Sequence, residues 1–371
     1  MHIQSRRQPA WPLPVSRAAD GRPAWRPLLL AAALSWGTAP ALAASYVVVD
    51  LGGTRHGVDT QVSGLNQHGA SVGQAGATAP PHLPHPVKSL PGGRAVDLAV
   101  QDGMPGVRGA AVAVNDHGQT TGWIEASFGG QVVAFVEQDG AMALYPSPSG
   151  EVPTVRGMNQ AGDVVGNVWA LEDACFGNCA FLLHAGQWTI LPALPRGQLS
   201  YAYAINNGGL IVGESFQGSD APLPLKAVLW RDGLIRVIPG MEQLFATAFG
   251  VNDHDDIVGE FRLPGTQVQH AFLWRDGSVI DLDGDPASNS RAWAVNAAGQ
   301  VVGDRTTATR HGYYVTVDGA MQWLDDLLLP GANGAWTLGD VRGLNDAGQV
   351  VGTAKDGRGL WRAVRLDPVA P

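Results

Sequence analysis

Charge is scarce in this chain, cysteine scarcer still, and helical periodicity almost missing. Charged residues fill only 15% of the 371 positions, and almost no stretch keeps apolar residues on a helical period through three turns, so the chain does not read as helical. There is no Gly-x-Ser-x-Gly elbow, no His-Glu-x-x-His pair and no phosphate-cradling glycine loop, which removes the commonest catalytic signatures. Carboxylates are too numerous in loops for sequence alone to single out a catalytic pair. Only Cys175 and Cys179 occur, in Cys-Phe-Gly-Asn-Cys. That spacing is not a redox motif, and the nearest histidine, His184, brings a metal set to three ligands at best, so a small disulfide staple is the expectation.

What is present in excess is glycine, 49 residues, about twice the usual share. Many short strands between glycine turns follow. The first 43 residues differ from the rest: Arg6, Arg7, Arg17, Arg22 and Arg26 face one acid, Asp20, before an apolar run from Leu28 to Trp36, and Ala41-Leu42-Ala43 follows. Basic, apolar and small-residue regions in that order predict a signal peptide over residues 1–43, cleaved after Ala43. The apolar run is short of the roughly 20 residues a membrane span needs, and Gly37 and Pro40 interrupt it. The expected location is therefore secreted or periplasmic, where disulfides persist.

Removing the leader changes 24 basic and 33 acidic residues to 19 and 32, a net charge near −13. Phosphate backbones and anionic lipid would be repelled, so no nucleic acid and no stable membrane insertion are expected. A monomer is expected.

Residues 44–371 form one repeat domain. Seven copies of Asn-x-x-Gly-x-x-x-Gly are anchored at Asn66, Asn115, Asn159, Asn206, Asn252, Asn296 and Asn345, at steps of 49, 44, 47, 46, 44 and 49 residues. Each copy carries four strand signals, labelled a (ending at the Asn), b (as in Val-Val-Gly), c (as in Ala227-Val-Leu-Trp230 or Ala271-Phe-Leu-Trp274) and d (as in Val279-Ile-Asp-Leu282), with Arg-Asp-Gly turns between c and d. Four short strands in 40–50 residues predict an all-β fold, a seven-bladed β-propeller of four-stranded blades. The domain starts on a d-type strand, Tyr46–Leu51, and ends on a c-like one, Leu360–Leu366. The N-terminal strand is expected to complete the last blade and so remove the open edges of the array.

The repeated Asn and Gly read as turn-makers: Asn bonds its own backbone two residues on, and Gly supplies a positive φ. Asp255 stands for the first Gly in the fifth copy, a residue that also visits that conformation. The second Gly suits close strand packing. Two positions before each Asn the residue is always small and one before it is always apolar, as strand a buried between neighbours requires.

Three positions before the Asn the rule breaks, giving Ser63, Val112, Arg156, Tyr203, Phe249, Trp293 and Arg342. With strand a innermost, these seven form a ring in the channel, and three aromatics flanked by two arginines suit an anionic or sugar-like ligand; a channel plug is the plainer role. The candidate ligand-binding residues are thus Arg156, Tyr203, Phe249, Trp293 and Arg342. The b–c and d–a connections share one face and vary widely, including His82-Leu-Pro-His85, whose two histidines lack a third metal ligand in view. Asp281-Leu-Asp283-Gly-Asp285 alternates carboxylates, yet Pro286 sits where a helix-loop-helix calcium site needs glycine and Ala292 where it needs Glu, leaving only an irregular calcium site there. No other cofactor is expected.

The segments His270-Ala-Phe-Leu-Trp-Arg-Asp-Gly277, Val251-Asn-Asp253 and Ile257-Val-Gly259 resemble the HAF repeat of extracellular bacterial proteins, with weaker copies at Pro86–Leu90 and Gly312–Val315. The resemblance spans the whole repeat domain and implies export and a repeat fold, without catalytic residues. The leading expectation is an exported, non-enzymatic propeller that binds a glycan or an extracellular protein through its varied loops and channel mouth. The alternatives are an extracellular polysaccharide hydrolase or lyase using acids such as Asp220, Glu242 or Asp340, and a structural envelope protein.

Overall fold

The computed structural model describes residues 45–52, 60–76, 83–91, 95–104, 106–125, 130–172, 175–218, 225–330 and 336–369. The leader 1–43, His82 and Asp220 lie outside them. The described residues form seven four-stranded antiparallel sheets arranged as a β-propeller. Six blades run a-b-c-d in chain order; in blade 5 these are Ala246–Val251, Ile257–Arg262, Gln269–Arg275 and Ser278–Asp281. Blade 7 is assembled from both ends of the domain, with Ser45–Asp50 paired antiparallel to Trp361–Val369. Asp50 receives a two-nitrogen contact from Arg362 across this closure, at 3.1 and 2.8 Å, and Tyr46 is buried in the apolar cluster that blade 7 shares with blade 6.

The core is divided among the seams. The cluster of Leu210, Val212, Ala227, Leu229 and Ile238 from blade 4 with Ala246, Ala248, Ile257 and Phe272 from blade 5 is one such seam. Alternation along each strand sends one row of apolar side chains to each neighbour, so every inner strand is covered on both faces. The tryptophan ending strand c reaches back across a seam: Trp230 donates its indole N–H to Pro192 O at 2.8 Å, and Trp274 to Pro239 O at 3.0 Å.

Strands a pack on each other around the axis. The Asn residues that end them are buried and do more than make turns. Each Oδ1 accepts from the backbone N–H four residues on in its own turn. Each Nδ2 donates to the backbone carbonyl of the next blade's Asn, from Asn66 to Asn115 O at 3.0 Å, onward through every blade, to Asn345 and back to Asn66 O at 3.0 Å. The result is a closed belt of seven inter-blade hydrogen bonds. A second belt lies beside it. The residue after each Asn offers a side-chain oxygen to the preceding blade's backbone N–H, through Asp116, Gln160, Asn207, Asp253, Asp346 and Gln67. It is interrupted at Ala297, which has no such oxygen.

The first repeat Gly has a positive φ wherever it occurs, and Asp255 takes the same conformation at +63°. The substitution also adds contacts, since Asp255 accepts from Asn206 Nδ2 of the preceding blade at 2.8 Å and from Arg231 at 2.7 Å.

Candidate functional site

Strand a is interrupted in every blade by a β-bulge, and the extra residue is the one three before the Asn. The a–b register skips Ser63, Val112, Arg156, Tyr203, Phe249, Trp293 and Arg342 in turn. A bulge sets two residues opposite one, bends its strand and re-aims a side chain. It also explains the second repeat Gly. A Cβ on that Gly would lie 1.8–2.0 Å from the carbonyl oxygen two residues before the bulge in each of the seven blades, for example Gly259 against Thr247 O. No side chain fits there.

Five successive blades carry large side chains at the bulge, and the structure brings all five sequence candidates together. Tyr203 meets Phe249 with ring centroids 5.3 Å apart, and Phe249 meets Trp293 at 4.6 Å. The guanidinium of Arg156 lies 5.6 Å from the Tyr203 ring centre, and that of Arg342 lies 5.8 Å from Trp293, inside cation–π range. The rings are half-buried and both arginines exposed, while Ser63 and Val112 complete the circle without large groups.

Three carboxylates stand behind the rings, none of them among the sequence candidates. They follow the second Gly on strands b of blades 4, 5 and 6: Glu214, Glu260 and Asp304. Glu214 accepts from the Tyr203 hydroxyl at 3.2 Å and from Thr247 Oγ1 at 2.7 Å. Asp304 accepts from Trp293 Nε1 at 2.8 Å. Glu260 accepts from Arg291 Nε at 2.8 Å and Gln269 Nε2 at 3.2 Å. Desolvation pushes all three above the usual carboxylate range; Arg156 offsets part of it at Glu214 and Arg291 at Glu260 and Asp304, while Asp304 and Glu214 add to the rise at Glu260. The Tyr203 hydroxyl is pushed well up, by burial first and then by the Glu214 charge. Polar ring tips pinned in this way hold the ring planes still. The sequence signal was available one strand over, since the residue after the second Gly also varies, and only blades 4, 5 and 6 carry an acid there.

The remaining candidates divide. Asp340 sits on strand a of blade 7, two residues before Arg342, and accepts from its Nε at 2.6 Å. Glu242 is exposed in the connection between blades 4 and 5, beside Lys226, and is not brought to Asp340. Cys175 and Cys179 form the expected disulfide, with Cα atoms 5.8 Å apart. His85 is buried and bonds Asp97 at 2.8 Å through Nδ1; His270 bonds Asp281 in the same way at 2.9 Å. Both histidines thus tie the start of strand c to strand d. In the candidate calcium loop Asp283 is held by Arg305 through both oxygens, at 2.7 and 3.1 Å, and by Ser288 at 2.5 Å, so its lone pairs are already committed. Among the described residues no group of three or more His, Cys, Asp or Glu is arranged to hold a metal ion, and no helix is long and apolar enough to cross a membrane.

No family model matches the chain, and no curated protein matches it. Solved structures do. Puromycin hydrolase is 12% identical over 84% of this chain and 52% of its own, with a TM-score of 0.49. The β-propeller domain of the trilobed protease from Pyrococcus furiosus is 14% identical over 70% and 81%, with a TM-score of 0.43. The fucose-specific lectin from Aleuria aurantia is 7% identical over 68% and 92%, with a TM-score of 0.32. These are likenesses of propeller architecture, at identities too low to bear on activity.

Proposed function

We propose that this propeller is an exported, non-enzymatic binding protein whose ligand is a glycan seated on Tyr203, Phe249 and Trp293. The observation that carries this reading is the unbroken row of three rings on successive blades with an arginine at each end. A pyranose presents an apolar C–H face and a rim of hydroxyls. Ring faces cover the first, while the exposed guanidinium groups of Arg156 and Arg342 donate to the second. Because hydrogen bonds fix the edges of Tyr203 and Trp293 and Phe249 is packed between them, little side-chain freedom is left to lose on binding. Export is supported by the leader-like N-terminus and by the disulfide. The test is a screen of glycans and extracellular proteins with wild type and a Tyr203, Phe249, Trp293 triple-Ala variant of matched stability. Loss of glycan binding in the variant is expected; binding that survives overturns the assignment.

Burial of the carboxylates beside the rings favours a second reading, a polysaccharide hydrolase or lyase, because an upward shift is the direction a general acid needs. Its partner base is the weak point. Asp340 is tied to Arg342 and Glu260 to Arg291. New reducing ends or unsaturated products after incubation with a polysaccharide panel, lost in Glu214→Gln or Asp304→Asn, would establish it over simple binding.

A further inference from the structure

We infer that the glycan is acidic, and that one of its carboxylates docks on Arg262 in a cavity at the seam of blades 4 and 5. This rests on the glycan reading above and specifies the ligand's charge. The cavity, about 230 Å³, is lined by Leu225, Phe245, Thr247, Glu260, Arg262 and Gln269. It adjoins the aromatic row through one shared group. Thr247 in its wall bonds Glu214, whose other oxygen takes the Tyr203 hydroxyl.

Arg262 is unlike most arginines of this protein. Ten others are in ion pairs with carboxylates. The Arg262 side chain has no hydrogen-bond partner among the described residues, and its Nε is buried without one. Its guanidinium stacks on the Phe245 ring at 4.9 Å. Stacking occupies a face and leaves the N–H edge open, and that edge is the fork that matches a carboxylate's two oxygens. Lys226, 5.9 Å from the same ring, spends its donors on the backbone carbonyls of Glu242 and Leu244 rather than on a carboxylate. The carboxylate of Glu260 is already held by Arg291 and Gln269. Lys226 has Glu242 beside it, so in a chain with a net charge of −9 it is Arg262 that stands here beside a stacking surface with no ion pair among the described residues. A carboxylate entering the cavity would meet the terminal nitrogens of the half-buried Arg262 rather than its buried Nε.

The experiment measures binding of oligogalacturonate, oligoglucuronate and oligomannuronate, each beside its carboxyl-reduced counterpart and beside a sulfated neutral oligosaccharide. Wild type should bind at least one uronate about tenfold or more tighter than the reduced form, as a charge-assisted pair predicts. Arg262→Gln should erase that preference and lower the salt dependence while leaving the reduced form's affinity within about twofold. Phe249→Ala should weaken both forms. Equal binding of uronate and reduced forms, tighter binding of the sulfated sugar, or no binding of any uronate overturns the acidic assignment. If Phe249→Ala leaves all affinities unchanged, the glycan reading itself falls. The Arg262 side chain stacks on Phe245 but makes no ion pair, so Arg262→Gln should melt close to wild type, and a melting-temperature check separates lost binding from lost fold.

Discussion

Asn252→Ala tests how much stability the repeat asparagines supply through their turn and inter-blade hydrogen bonds together. The side chain makes four hydrogen bonds: Oδ1 accepts from His254 N at 3.0 Å and Asp256 N at 2.9 Å, and Nδ2 donates to Asn296 O at 2.9 Å and Asp256 Oδ2 at 2.8 Å. These losses are unequal. The His254 amide can turn to water, and the Asp256 carboxylate keeps two bonds from Arg275. Asn296 O keeps Gly299 N–H at 2.9 Å, so it loses a second partner rather than its only one. The Asp256 amide is buried and is left with nothing. An orphaned buried donor costs about 1–3 kcal/mol and the lost inter-blade bond about 0.5–1.5 kcal/mol, giving roughly 2–4 kcal/mol in all. The control is Asp253→Ala in the outer belt, where exposure lets water replace the bond from Asn207 N and about 0.5 kcal/mol is expected. Guanidinium unfolding curves read both, and amide exchange at Asp256 reads the orphan directly. If Asn252→Ala unfolds at the same denaturant concentration as Asp253→Ala, neither the buried turn bond nor the inter-blade bond contributes to stability, and the reasoning fails.

Glu214→Gln should gain on wild type as pH rises. A carboxylate whose folded pKa is raised binds its proton more tightly folded than unfolded, so wild-type stability falls as pH rises from the ordinary value of 4.5 up through the raised one; a stability difference that stays flat from pH 4 to 8 refutes the desolvation. Replacing both Cys175 and Cys179 by Ser opens a loop with a sequence separation of 4, and chain entropy predicts a loss of about 2 kcal/mol, read as a lower melting temperature that reductant reproduces in wild type. Tyr46→Ala removes a buried ring from the ring-closing strand, with an expected cost of about 3–5 kcal/mol. Scattering should also show aggregation if that strand detaches and bares the edge of Trp361–Val369; a stable, monodisperse variant would mean closure does not depend on it.

The blade count, strand phases and split last blade are readable in sequence because each rests on local chemistry repeated seven times. Turn residues recur at fixed offsets, and small and apolar residues alternate within a few positions. The interactions that escape such a reading join residues far apart in the chain. Asn206 bonds a carbonyl 46 residues away, and Glu214 meets Thr247 across 33. Turn chemistry already accounted for every Asn, so nothing in the sequence called for a second role. Glu214, Glu260 and Asp304 needed the a–b register with its bulge before they could be set behind the rings. Arg262 and Phe245 lie at the rim of a seam, where the repeat pattern gives way to connections of unequal length.

The bulge also explains why variation gathers where it does. At the second Gly of every blade the backbone leaves no room for a Cβ, and at the Asn two blades depend on one amide, so a change at either position weakens the frame. The bulge residue is unpaired in the ladder, and the frame asks nothing of its side chain. Blade 1 offers the test within one pair of strands. Ser63→Trp at the bulge should fold within about 1 kcal/mol of wild type and extend the aromatic circle past Arg342. Gly73→Ala, whose Cβ would lie 1.9 Å from Gln61 O and 2.9 Å from Val62 Cα, adds one carbon and should cost several times more, because backbone rather than a movable side chain must yield. Should the tryptophan prove the more damaging of the two, the bulge positions are part of the frame, and the site they form would have to be sought elsewhere.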